Sequence, residues 1–361
     1  MGRYAEELTR ELIRTAPAGC QVSGVVSSSL ESDYERVHTL LPGLADLFKS
    51  ALARRELQFA WQHGVTRLPG SGMVHATSLM APLSKHDRVN NTGDQTVVTV
   101  HDVVAWTHPH TMSPRQASWA KGMARRAFKY ADAVVVPTHT VAAQLGEILD
   151  FGERIRVIPG AVSSKLSVPI DADDRAAAIG LPARYILSAG TLDPRKGIEP
   201  LIRSLASEAD AGLPLLIAGP AGYNAPDAAA IAEAAGVDAD RVVLLGRLPD
   251  ADLSVALDRA TVFAFPSIAE GFGLPMVEAF HFGTPVVHSD DPAVVEVAAG
   301  AGLCVPLDDT EGYPDRLAAA IATIADDDAL AQRLSFAGLD RAANFSWRNA
   351  AQQVWQLHAD L

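Results

Sequence analysis

Two carboxylates, Glu270 and Glu278, stand in the segment Pro266-Ser-Ile-Ala-Glu-Gly-Phe-Gly-Leu-Pro-Met-Val-Glu-Ala-Phe, directly after an apolar run that reads as a strand. Gly271 and Gly273 allow a tight turn and a close ligand approach, and Pro275 suits the first turn of a helix, where the N–H it lacks would be unbonded anyway. The backbone amides of Phe272, Gly273 and Leu274 then point out of a helix N-terminus, a place suited to sugar hydroxyls or phosphate oxygens. With Glu270 on the loop and Glu278 one turn inside the helix, both carboxylates can face one ligand. The bland alternative stays open: Glu278 complements the helix dipole and Glu270 is a solvated loop residue. A second segment, Gly190-Thr-Leu-Asp-Pro-Arg-Lys-Gly197, follows another strand and sets Arg195 beside Lys196. A fork-shaped guanidinium next to a mobile ammonium can grip a diphosphate. Cations at a helix start oppose its macrodipole, so a bound anion accounts for them better than an exposed basic turn does.

These residues need a scaffold that brings strand ends together. The chain has 361 residues, enough for two domains, and strand-like and helix-like runs alternate throughout. Short β-branched runs at 22–26, 73–76, 96–100, 133–136 and 155–158 predict strands in the first half. Runs at 185–188, 215–218, 242–244, 262–265, 285–288 and 303–305 do so in the second. Helices are expected at 5–14, 117–130 and, Ala-rich, near 226–235. Residues 44–61, with Leu44, Leu47, Phe48, Ala51 and Leu52 on one face, read as a further amphipathic helix. The pattern is that of an α/β protein with two doubly wound Rossmann-like domains, whose ligands bind at the carboxyl ends of the strands and in the cleft between domains. A composition shift at 163–183 marks the domain boundary. A doubly wound domain normally opens with a strand, yet the sequence begins with a helix, so the first strand of the N-terminal domain reads as missing.

Composition narrows the function. Net charge is −13, against a general nucleic-acid binder. The charge is uneven: residues 1–165 hold 18 Lys and Arg against 15 Asp and Glu, while residues 166–361 hold 12 against 28. Cys20 and Cys304 lie far apart with no CxxC spacing, which suits a reducing cytoplasm, and no apolar run is long enough to span a membrane. There is no HExxH, GxSxG or Walker loop. Gly70-Ser-Gly72 lacks the third glycine of a dinucleotide fingerprint, and Asp290-Asp291, Asp308-Asp309 and His108-Pro-His110 read as turn or loop residues rather than metal ligands.

Taken together, Glu270-x7-Glu278, the surrounding Glu-Gly-Phe-Gly-Leu-Pro, the later Gly-Thr-Pro-Val-Val run and the Arg195-Lys196-Gly197 turn resemble glycosyltransferase family 4, retaining enzymes of the GT-B fold. Further matches are Gly2-Arg-Tyr-Ala-Glu-Glu-Leu, Val98-Thr-Val-His-Asp102, Ala131-Asp-Ala-Val-Val-Val, Val157-Ile-Pro159, Leu245-Gly246-Arg247 and Phe345-Ser-Trp347, so the resemblance covers the whole chain. It implies an acceptor-binding domain over 1–165, completed by the return of 345–361, and a nucleotide-sugar-binding domain over 183–344. It also implies that Arg195 and Lys196 hold the donor diphosphate, Glu278 the ribose, and that the strand end at Gly246, Arg247 and Leu248 lies beside the base, with Gly190 also among the substrate-binding residues. Glu270 with Gly271, Phe272, Gly273 and Leu274 would hold the transferred sugar, and His101 would contact it near the reacting carbon. No metal or cofactor is expected beyond the nucleotide sugar. The Val-His-Asp and Val-His-Ala-Thr-Ser segments are most similar to the mannosyltransferase-like branch, which suggests mannose from GDP-mannose and an acceptor that is a glycan or lipid-linked glycan of the cell envelope, with UDP-sugars open.

The departures matter as well. Pro159-Gly160-Ala161-Val162 replaces the family's Pro-Asn-Gly-Val, and Pro137-Thr-His-Thr140 stands where a Ser-Glu pair is usual. Met1-Gly-Arg-Tyr takes up the pattern where the family has a strand, a glycine loop and Val-Gly-Arg-Tyr, which would follow from a GTG valine codon read as a start. A non-catalytic or truncated glycosyltransferase-like scaffold is therefore a second reading, and a GT-B sugar-nucleotide epimerase a third. The helical face at 44–61, with Lys49, Arg54 and Arg55, and Trp119, Lys121, Arg125, Arg126 and Lys129 could meet a membrane carrying a lipid-linked acceptor, or pack as ordinary helices. The expected location is the cytoplasm, with peripheral contact at the inner membrane face as its extension.

Overall fold

The computed structural model describes residues 2–66, 72–87 and 90–361. In chain order the first elements are α1 (Gly2–Arg14), β1 (Ser23–Ser28), α2 (Glu31–Leu40), β2 (Asp46–Ala53), α3 (Arg54–His63), β3 (Met73–Ala76) and β4 (Gln95–Thr99). Next come α4 (Val104–Thr107), α5 (Pro114–Tyr130), β5 (Ala133–Val136), α6 (His139–Ile148), β6 (Ile155–Val157) and α7 (Ala172–Ala178). These are followed by β7 (Ile186–Ala189), α8 (Ile198–Ser204), β8 (Leu215–Ala218), α9 (Ala228–Ala235), β9 (Val242–Gly246), α10 (Asp250–Arg259) and β10 (Val262–Phe265). The remainder is α11 (Leu274–His281), β11 (Val286–Ser289), α12 (Pro292–Ala298), β12 (Leu303–Val305), α13 (Tyr313–Asp326), α14 (Asp328–Ala343) and α15 (Trp347–Asp360). Met1 and Gly70 lie outside the described residues, and with them the start-codon and Gly70-Ser-Gly72 readings.

Two compact units result. One takes in residues 1–106, 114–160 and 346–361; the other takes in 107–113 and 161–345. In the first, β3-β4-β5-β6 form a parallel sheet and β1-β2 a separate parallel pair. Val98, Val100, Val134 and Val136 make the centre of its core, all fully buried. Helix α1 buries Tyr4, Leu8 and Leu12, spaced four apart on one face, and packs against α15, where the Trp355 indole donates to the Leu12 carbonyl at 3.2 Å.

Residues 44–61 correct the sequence reading: they form no single helix but β2 followed by α3. The i, i+3, i+4 spacing of Leu44, Leu47 and Phe48 fits a helix locally, yet parallel pairing with β1, from Ser23↔Asp46 to Val26↔Lys49, wins. The continuous apolar helical face offered to a membrane therefore does not exist. On α5, Trp119 packs against the core, as in an ordinary helix. Among the described residues no helix is long and apolar enough to cross a membrane.

The second unit is a six-stranded parallel sheet in the order β12-β11-β10-β7-β8-β9. Counted from β7 this is the doubly wound order 3-2-1-4-5-6 seen from its other end. Alternate residues feed two cores. Leu187, Leu216, Phe263 and Phe265 face one layer of helices, and Ile186, Leu215, Ile217, Val262 and Ala264 face the other. Burial on both faces is why these strands read as continuous apolar runs.

Candidate active site

In a doubly wound sheet, ligands bind where the strand order reverses, outside the carboxyl ends of the two central strands. Here those strands are β7 and β10, paired in parallel at Ile186↔Val262 and Leu187↔Phe263. The loop after β7 carries Arg195 and Lys196, and the loop after β10 carries Glu270, so the sheet order brings together residues 74 positions apart. The loops are also joined directly. The Ile268 amide donates to the Arg195 carbonyl at 2.8 Å, and Arg195 Nη1 donates to the Ala269 carbonyl at 2.9 Å. Gly197, at φ +67°, has no room for a side chain, since a Cβ would lie 2.1 Å from the Pro266 carbonyl oxygen.

At this junction Arg195 Nη1 lies 3.1 Å from Glu270 Oε2, and the Lys196 ammonium is hydrogen-bonded to Glu270 Oε1. Lys196 Nζ also stands 5.5 Å from the centre of the Phe265 ring. The Glu270 side chain is only 9% exposed, so it is not a solvated loop residue. Burial alone would raise its pKa, but the Lys196 and Arg195 charges more than offset this and hold the carboxyl below its usual range.

The neighbouring loops complete the carboxyl edge. The Gly190 amide donates to the Ala218 carbonyl at 2.9 Å and the Gly219 amide to the Gly246 carbonyl at 2.7 Å, tying together the ends of β7, β8 and β9. A Cβ on Gly190 would stand 3.7 Å from Lys196 Cε. Arg247 and Leu248 follow β9 directly, with Leu248 packed on the core. Gly271 and Phe272 lie on the Glu270 loop, Gly273 caps α11 at φ +83°, and Leu274 opens the helix. Glu278 lies one turn inside α11, 4% exposed.

His101 belongs to the first unit, just beyond the end of β4. Its Nε2 is 2.8 Å from the Thr77 carbonyl oxygen, which can only accept, so the ring proton is on Nε2 and Nδ1 is left as an acceptor. The Tyr4 ring meets the imidazole edge-on at 4.7 Å and in turn meets Trp347 of α15 at 5.3 Å. Burial lowers the His101 pKa, partly countered by the Thr77 carbonyl, and keeps the ring neutral.

Two carboxylates near this site are not assigned to it from the sequence, Asp193 being passed over and Asp291 read as a turn residue. Asp193, 14% exposed at its side chain, has Oδ1 3.4 Å from Arg195 Nε, and burial raises its pKa despite the Arg195 and Lys196 charges. Its position two residues before the arginine is the signal that could have shown it. Asp291 caps α12, accepting from the Ala293 and Val294 amides at 3.0 and 3.1 Å; burial pushes its carboxyl up to about 6, and the Glu270 charge adds to the rise. An Asp followed by Pro at a strand end is a helix-start signal. Among the described residues, no group of three or more His, Cys, Asp or Glu is arranged to hold a metal ion.

Comparison with known proteins agrees with this architecture. The family model for glycosyl transferases group 1 matches residues 170–341, and that for glycosyltransferase family 4 matches residues 1–166. This chain is a family 4-like glycosyltransferase. Among curated relatives of the glycosyltransferase, O-antigen chain mannosyltransferase B of Escherichia coli is 28% identical over 72% of the chain and 69% of its own length. The MMP alpha-(1->4)-mannosyltransferase of Mycolicibacterium hassiacum is 32% identical over 65% of the chain, but only 58% of its own length is matched. The serotype-specific mannosyltransferase WbdA of E. coli, 28% identical over 62% of the chain, is matched over 28% of its length. In fold, the glycosyltransferase superposes on HepE of Anabaena, solved with UDP and glucose, with a TM-score of 0.73 at 17% identity over 100% of this chain and 96% of HepE. It also superposes on sucrose-phosphate synthase of Thermosynechococcus elongatus, with a TM-score of 0.67 at 23% identity over 95% and 96% of the two chains. The glycosyltransferase thus has the GT-B fold of two Rossmann-like domains.

Proposed function

We propose that the protein transfers mannose from GDP-mannose to a hydroxyl of a glycan or lipid-linked glycan acceptor, with retention of anomeric configuration. The observation that carries the reading is the meeting of Arg195, Lys196 and Glu270 at the reversal of strand order in the second unit. There the two cations would bind the donor diphosphate and stabilise the charge that develops on it as it leaves, where preorganised charge has most effect. Glu270 and the start of α11, at Gly271, Phe272, Gly273 and Leu274, would hold hydroxyls of the sugar. Glu278 would take the ribose, Gly246, Arg247 and Leu248 would lie beside the base, and Gly190 would also meet the donor. His101, neutral and with Nδ1 as its acceptor nitrogen, would accept a hydrogen bond from a sugar hydroxyl near the reacting carbon. Attack on the face the diphosphate leaves, with a departing phosphate oxygen taking the acceptor proton, needs no further carboxylate base and no metal. Action in the cytoplasm, at the inner membrane face when the acceptor is lipid-linked, belongs to the same proposal.

The choice of mannose is supported by the mannosyltransferase names of relatives that match in sequence. A UDP-sugar donor is the second reading, suggested by HepE, one of whose structures holds UDP-glucose. Thermal unfolding with GDP, UDP, GDP-mannose and UDP-glucose separates them, because a ligand that binds only the folded state raises the midpoint. Stabilisation by GDP and GDP-mannose, followed by sugar transfer from GDP-mannose, is the expected result. Stabilisation by the uridine compounds alone overturns the GDP-mannose assignment.

A further inference from the structure

The cations that should receive a diphosphate already hold an anion. Both Glu270 oxygens are engaged, Oε1 by the Lys196 ammonium and Oε2 by Arg195 Nη1 at 3.1 Å, and the carboxylate is 9% exposed. Asp193 adds a second carboxylate, 3.4 Å from Arg195 Nε. Two cations thus face two carboxylates, and the local charge is close to balanced when both acids are ionised. A buried ion pair is bound tightly by its own partners, and any competing anion must first loosen it.

We propose that Glu270 is an internal counter-anion of Arg195 and Lys196 whose contacts are exchanged for those of the donor diphosphate, so that it sets the affinity for the donor as well as meeting the sugar. The inference rests on the reading of Arg195 and Lys196 as the diphosphate grip. It gives Glu270 two linked tasks. Before the donor arrives, Glu270 keeps two adjacent cations from repelling each other and holds the β7 and β10 loops together. Once the diphosphate takes over the cations, the carboxylate is released to the sugar hydroxyls. The donor supplies the anion that frees its own sugar contact. Asp193, on the other side of Arg195, holds the guanidinium during the exchange and contributes a smaller repulsion to the incoming phosphates.

Calorimetric titration of the full chain with inorganic pyrophosphate, GDP and UDP tests this. Removing a negative charge that faces the same cations should tighten pyrophosphate and the preferred nucleoside diphosphate by about tenfold in Glu270→Gln, even as sugar transfer falls. Asp193→Asn should move affinity the same way by less. In the unaltered protein, affinity should fall less steeply with added salt than in Glu270→Gln, since an internal anion already screens the grip. Arg195→Ala and Lys196→Ala are measured alongside. If they weaken binding while Glu270→Gln binds pyrophosphate no tighter than the unaltered protein, the counter-anion is refuted and the diphosphate grip stands. If they leave binding unchanged, the grip itself is wrong and the counter-anion falls with it.

Discussion

The two units treat a buried titratable group in opposite ways. In the second, Glu270 is enclosed and charged, because two cations from the β7 loop outweigh its burial. In the first, His101 is largely buried, with the Tyr4 ring edge-on to it, and neutral, because desolvation outweighs the Thr77 carbonyl and the Asp102 charge that favour the protonated ring. The same desolvation disfavours the charged form at both places; the neighbours decide which form survives. One unit thus holds fixed charge, of the kind a diphosphate would meet under the proposed function. The other holds a neutral hydrogen-bond acceptor, of the kind a hydroxyl would meet.

The largest effect is expected from breaking the charged side of this contrast. Arg195→Ala and Lys196→Ala should each lower kcat/KM by about 10²-fold or more in steady-state transfer assays, the scale seen when a group that stabilises developing charge is removed. Near-normal turnover in both would contradict the assignment. For the neutral side, His101→Ala should cost about tenfold, the worth of one good hydrogen bond to substrate. Because burial keeps this imidazole from protonating at its ordinary pH, the rate should show no titration near pH 6.5 that disappears in the variant. Such a titration would mean that His101 works as an acid.

A smaller effect sharpens the contrast at the level of stability. His75 and His358 lie in the first unit with ring centres 5.8 Å apart; His358 Nδ1 meets Gln95 Oε1 at 2.8 Å, and neither His75 nitrogen has a hydrogen bond. Burial, with the neighbouring His358 adding to it, lowers the His75 pKa to about 3, and burial lowers that of His358 to about 4. Above pH 6.5 both rings are neutral folded or unfolded. Below it the unfolded chain takes up protons that the folded chain refuses, so stability falls as pH drops from about 6.5 toward 4. The unfolding midpoint followed over that range should fall, and His75→Phe should flatten the slope; an unchanged slope would exclude this pair as its source. The smallest effect expected is none: chelation with EDTA should leave transfer unaltered, and a metal-dependent loss would call for ligands not recognised among these residues.

Much of the scaffold was legible because buried parallel strands write themselves as short apolar runs. The runs at 73–76, 133–136, 215–218, 262–265 and 303–305 coincide with β3, β5, β8, β10 and β12. The failure at 44–61 has a physical cause: Leu47, Phe48 and Ala51 satisfy helical spacing, and only the partner strand β1, far away in sequence, decides for the extended form. The site was legible in part for the same reason. Arg195 and Lys196 announced an anion, but that the anion in hand is Glu270 depends on β7 lying next to β10, a fact of strand order that no local pattern states.

Helix α15 has a consequence for how the protein comes into being. It packs on α1, and Trp347 lies against Tyr4, so a segment made before residues 161–345 and one made after them belong to one unit. During translation the intervening unit, 161–345, can acquire its sheet while the first still waits for its closing helix. Vectorial synthesis, which usually favours the domain nearer the amino terminus, here gives the head start to the unit that is continuous from 161 to 345.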